Sequence, residues 1–94
     1  MKLEQQLAEI LALEAVGWIA GNDELLPVFL GATGASEEDL RSRTGDPDFL
    51  ASVVDFLMMD DAWLTAFCDH TGRAYEEPAM ARAQLPGGAM PNWT

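Results

Sequence analysis

The sequence predicts an all-α fold, a compact bundle of five or six short helices arranged as two pseudo-repeated three-helix halves. Apolar residues recur at helical spacing along most of the chain, and helix-capping residues separate these segments at short intervals. We find no run of alternating apolar residues long enough for a strand. With 94 residues, 49 % of them hydrophobic, the chain has the length and composition of one globular domain.

Six helices are predicted in chain order, at residues 3–20, 23–32, 37–43, 47–59, 61–71 and 76–85. The first carries a broad apolar stripe, which includes Leu7 and Ile10, and ends at Gly21. The second is capped by the Asn-Asp pair that follows this glycine. Ser36 and Asp39 resemble a capping box at the start of the third helix, although glutamate or glutamine is the usual partner there.

The fourth helix is predicted to be the central and most buried one. Asp46 followed by Pro47 is a typical helix start, and the residues that follow are apolar on most of the helix circumference. Asp60 or Asp61 caps the fifth helix, which Gly72 ends. Each of these boundaries is set by residues within a few positions of one another.

An internal repeat predicts the two halves. When the sequence is shifted by 38 residues, residues 22–34 fall on residues 60–72 with five identities in 13 positions. The repeat extends over about residues 11–45 and 49–85. Two half-cores, each too small to be stable alone, would then share one interior.

We expect a single helical domain over residues 1–86, followed by a flexible tail over residues 87–94. The first residues lack the pattern of a signal peptide, and no uncharged apolar run is long enough to span a membrane. The single cysteine cannot form an internal disulfide bond. These features favour a cytoplasmic location.

The chain is strongly acidic, with 16 acidic and 5 basic residues and a net charge of −11. This charge argues against binding to nucleic acid or to an anionic membrane surface, and it permits a basic protein partner. Helix capping is the competing explanation, because most of the acidic residues lie at predicted helix starts, where carboxylates favour the helix dipole.

Cys68 and His70 are the only cysteine and the only histidine in the chain. Residues two apart on a helix point about 200° apart, which disfavours a catalytic dyad, and two further zinc ligands are missing. The simpler interpretation is a buried Cys68 and a His70 at the negative end of its helix. We therefore predict no catalytic residue, no metal site and no cofactor.

Met58 and Met59 at the end of the fourth helix could line an adaptable binding groove, although core filling is the simpler interpretation. Asp60 and Asp61 follow them and could contribute charge, although a doubled helix cap is simpler. Trp93 in the tail could anchor a partner. Together these five residues are the candidate interaction surface.

The sequence favours a non-enzymatic protein–protein interaction module that binds an unknown protein partner, and the acidic charge permits a basic one. One alternative is a structural homodimer that uses the exposed stripe of Leu3, Leu7 and Ile10. Another alternative is a small metal-binding or enzymatic protein that uses Cys68 and His70.

Five segments of the chain carry a resemblance to a known family. They are LALEAVGWIA at 11–20, LPVFLGATG at 26–34, DLR at 39–41, DPDFLASVVDFLMMDD at 46–61 and AMARAQLPGG at 79–88. Over nearly its whole length the chain resembles a family of short helical proteins of unknown function, found chiefly in alphaproteobacteria. The resemblance implies a compact, all-helical, bacterial cytoplasmic protein, and it assigns no activity and no site residue.

Overall fold

The computed structural model of the protein describes residues 2–87, with side chains from residue 4 onward. It contains α1 (Lys2–Ala20), α2 (Leu25–Thr33), α3 (Glu37–Ser42), α4 (Pro47–Met58), α5 (Asp61–Thr71) and α6 (Glu77–Ala83). Within the described residues there is no strand, and the predicted all-α fold is confirmed. The radius of gyration, 12.6 Å, agrees with about 12 Å expected for a compact chain of this length.

Side-chain caps begin three of the helices as the sequence predicted. Ser36 and Asp39 form a complete capping box at α3, with N···O distances of 3.1 and 3.0 Å. The side chain of Asp46 accepts the N–H of Asp48 at α4, and Asp60 caps α5 in the same way. A structural role is therefore established for several of the acidic residues.

The second helix begins later than predicted, at Leu25 instead of residue 23. The side-chain oxygen of Asn22 accepts the N–H groups of Glu24 and Leu25 at 3.1 and 3.0 Å, so Asp23 and Glu24 form a turn before the helix. The sixth helix is also shorter than predicted, with seven residues.

Helix α4 is the centre of the core, as predicted. Its buried residues are Phe49, Leu50, Ala51, Val53, Val54, Phe56 and Leu57. Phe29 from α2 meets Phe49 and Phe56 edge to face, with ring centroids 6.4 and 5.1 Å apart. Trp63 from α5 stacks on the Phe56 ring at 4.7 Å, so aromatic contacts join three helices.

Helix α1 packs against α4, and its buried face mixes small side chains with larger ones such as Leu11. Ala8, Ala12 and Ala15 are buried, whereas Leu7 and Ile10 stay about half exposed. The sequence placed these two large residues in the same apolar stripe as the core-facing ones, and the structure separates them. Alanine on the inner face lets the two helix backbones approach closely, which larger side chains would prevent.

The second helix of each predicted half, α2 and α5, ends with the same backbone geometry. Gly34 and Gly72 both adopt left-handed backbone conformations, with φ of 76° and 77°. The hydroxyl groups of Thr33 and Thr71 both donate to the carbonyl four residues earlier. The third helices differ, however, because α6 packs on α1 and α4 while α3 has no comparable contact with α4. The pseudo-repeat therefore stays a prediction.

Candidate functional site

A surface groove of about 500 Å³ lies between α1 and α6. Leu7, Ile10 and Met80 line it, and 56, 48 and 65 % of their surface is exposed. The buried residues Leu11 and Ala81 also line this α1–α6 groove, beneath the exposed ones. Folding thus leaves a continuous apolar strip uncovered between two helices.

Arg73, in the loop before α6, lies at one end of the groove and links its two walls. Its Nε and Nη2 atoms donate to the Glu14 carboxylate on α1 at 2.8 and 3.1 Å. Its Nη1 atom donates to Glu77 on α6 at 2.7 Å. The Arg73 side chain is only 24 % exposed, so solvent screens these ion pairs less than it screens most surface pairs.

Hydrogen bonds keep these three groups charged. The bond from Arg73 lowers the pKa of Glu14, and these carboxylate contacts raise the pKa of Arg73 in turn. The pKa of Glu77 is lowered first by the N–H of Ala74, at 3.0 Å, and then by Arg73. Two carboxylates carry more charge than one guanidinium neutralises, so this end of the groove is net negative.

The candidate surface around the end of α4 is exposed rather than part of the core. Met58 is 36 % exposed and Met59 is 69 % exposed, so the interpretation of Met59 as core filling is wrong. Asp60 caps α5, and Asp61 is exposed in the first turn of that helix. Trp93 lies outside the described residues. A binding role for this surface stays a prediction.

Met59 lines a second groove, of about 470 Å³, on the face formed by α2, α3 and α4. Asp39, Asp48 and Asp55 line it as well, together with Arg43. The guanidinium of Arg43 lies 4.9 Å from the centre of a core phenylalanine ring and therefore covers apolar surface. This groove is more polar than the α1–α6 groove, and Met59 is its single large and exposed apolar side chain within the described part of the chain.

Cys68 and His70 lie in different environments. Cys68 is fully buried, as predicted, and its thiol donates to the carbonyl of Ala74 at an S···O distance of 3.6 Å. Burial raises the pKa of this thiol. His70 is exposed in the last turn of α5. Among the described residues, no three histidine, cysteine or carboxylate side chains are placed to hold one metal ion.

The sequence interpretation did not single out Met80 or Arg73. The signal for Met80 was present, because residues 77, 80, 81 and 84 share one helix face. The Arg73–Glu77 pair also has the helical spacing of ion pairs. The contact between Arg73 and Glu14 joins residues 59 positions apart, and no local pattern predicts it.

Fold and groove together define a small all-helical protein with an exposed apolar groove. The family model described as “Protein of unknown function (DUF3572)” matches residues 5–88, so the chain belongs to this family and the expected uncharacterised family is confirmed. No curated protein and no solved structure matches the chain. Each helix in residues 2–87 is too short or too polar to cross a membrane.

Proposed function

We propose that the protein is a non-enzymatic interaction module that binds a partner protein through the α1–α6 groove. The observation that supports this function is the convergence of Leu7, Ile10 and Met80 on one groove, each about half exposed or more. Single exposed apolar residues are common at protein surfaces, whereas clusters of them are typical of binding sites.

The expected strength of binding follows from the exposed area. Fully burying a side chain of this size contributes about 1.5–3 kcal/mol, so covering the exposed half of each contributes about 1 kcal/mol. Three such side chains supply about 3 kcal/mol before polar contacts and the cost of association are counted. This scale favours a weak and reversible complex.

The chemistry of Cys68 supports a role other than catalysis. A nucleophilic cysteine needs an accessible thiol with a lowered pKa. Cys68 is instead fully buried, and its pKa is raised. The free and buried thiol is also compatible with the cytoplasmic location that we propose for the protein.

The test is co-purification of partners with two matched double variants. Ile10→Gln with Met80→Gln removes apolar contacts from the α1–α6 groove. Val28→Gln with Met59→Gln changes residues of similar exposure, 45 and 69 %, elsewhere on the surface. We expect a partner that the wild type and the second variant retain and the groove variant loses.

Other outcomes would contradict the proposal. A partner that is retained by the groove variant and lost by the Val28 and Met59 variant would move the binding surface to the second groove or to α2. Light scattering on the same proteins tests the structural homodimer. A wild-type dimer that becomes monomeric in the groove variant would identify a second copy as the partner.

A further inference from the structure

We infer that the α1–α6 groove accepts a basic amphipathic helix of the partner, an inference that rests on the proposed function. Charge is the first argument. Glu77 lines the groove, and Arg73 is the single basic side chain among the described residues that line it. Arg73 is already bound to two carboxylates, so the rim favours positive groups on the incoming chain.

The shape of the groove is the second argument. Helix α1 contributes residues 4, 7, 8, 10 and 11, and α6 with its C-cap residue contributes residues 77, 80, 81 and 84. Each wall therefore spans two helical turns, or about 10.5 Å at 1.5 Å per residue. Two helices side by side present ridges and a groove that a third helix fills with side chains at positions i, i+3 or i+4, and i+7.

An extended strand would fit this site poorly. The groove is bounded by two helices whose backbone groups are already paired, and it offers no sheet edge to an extended chain. Such a peptide would have to bury its own unpaired N–H and C=O groups, which is costly. A helix satisfies its backbone internally and presents an apolar face.

A second copy of the chain is a worse occupant. Each copy has a net charge of −11, and facing two acidic rims would bring like charges together. Ten residues line the groove, whereas a stable protein–protein interface uses about 20–30 residues on each side. Both the sign of the charge and the size of the groove fit a short basic helix.

The test uses three synthetic peptides of about 14 residues, or four helical turns. The basic peptide has leucine on one face and lysine on the other. The acidic peptide has glutamate at each lysine position, and the scrambled peptide has the basic composition without helical periodicity. Binding is measured by fluorescence anisotropy at low salt and at about 0.5 M NaCl, where the Debye length is about 4 Å.

We expect the basic peptide to bind at least about tenfold more tightly than either control peptide, and to weaken several-fold in high salt. The variant with Ile10→Gln and Met80→Gln should weaken binding by about thirtyfold, because it removes two half-exposed apolar contacts. A variant with Leu13→Gln and Val28→Gln, whose side chains are 42 and 45 % exposed and line neither groove, should stay within about twofold of the wild type.

Three results would overturn the inference. Equal binding of the basic and scrambled peptides would indicate non-specific attraction to an acidic surface. Equal or tighter binding of the acidic peptide would exclude the charge argument. Undiminished binding of the basic peptide to the groove variant would place the helix elsewhere. The proposed function stands in each case if co-purification still depends on the groove, and it fails separately if that dependence is absent.

Discussion

Replacing Arg73 with alanine tests whether ion pairs hold the two walls of the α1–α6 groove together. The change removes the paired hydrogen bonds to Glu14, at 2.8 and 3.1 Å, and the bond to Glu77 at 2.7 Å. Bidentate geometry and low exposure place the pair with Glu14 at the upper end for partly exposed ion pairs, about 1 kcal/mol. A loss of this size lowers the Tm of a domain this small by roughly 5 °C.

The stability that Arg73→Ala removes should be larger at neutral pH than at acidic pH. The pKa values of Glu14 and Glu77 lie below their ordinary value of 4.5. A carboxylate with a lowered pKa stabilises the fold above its ordinary pKa, and this contribution is lost as the pH falls through the folded-state value. The difference between wild type and Arg73→Ala is therefore complete at about pH 7 and reduced at about pH 3.

Urea unfolding followed by tryptophan fluorescence measures this difference at both pH values. Arg41→Ala is the matched control, because Arg41 lies 3.4 Å from Glu38 with side chains that are 70 and 72 % exposed. We expect it to change the free energy of unfolding by less than about 0.3 kcal/mol. The reasoning is refuted if Arg73→Ala destabilises no more than the control, or by the same amount at both pH values.

Two further predictions concern the backbone and the thiol. Gly34→Ala should lower the free energy of unfolding by about 1–2 kcal/mol, because φ is 76° there. Gly31→Ala, inside α2 with open space around the added Cβ, should raise it by about 0.5–1 kcal/mol. Urea unfolding of both variants checks this, and shifts of equal sign would contradict it. The buried Cys68 thiol should react with a thiol reagent at least about a hundredfold more slowly in the native state than in urea; equal rates would show an accessible thiol.

Local signals predicted most of the helix boundaries. The caps at Ser36, Asp46 and Asp60 and the stop at Gly72 each depend on residues within about four positions, so a local stretch of sequence is enough to indicate them. The central position of α4 was also predictable, since a helix that is apolar on most of its circumference must bury most of its surface.

The α1–α6 groove was predictable only in part. Leu7 and Ile10 were recognised as candidates for leftover apolar surface, while Met80 was missed because α6 reaches α1 only in the folded chain. Periodicity also could not show that Ala8 and Ala12 would face the core ahead of larger neighbours. That choice depends on the space that α4 leaves, which is a property of the packed protein rather than of the α1 sequence.

The two apolar faces of α1 have a consequence for the path of folding. Early collapse rewards apolar area without regard to shape, and Leu7 and Ile10 offer more of it per residue than Ala8 and Ala12 do. Turning α1 about its axis would bury Leu7 and Ile10 and would expose Leu11 and Ile19, which are buried in the native core. The side chains proposed to recruit a partner therefore compete for the core with the side chains that hold α1 in its native orientation.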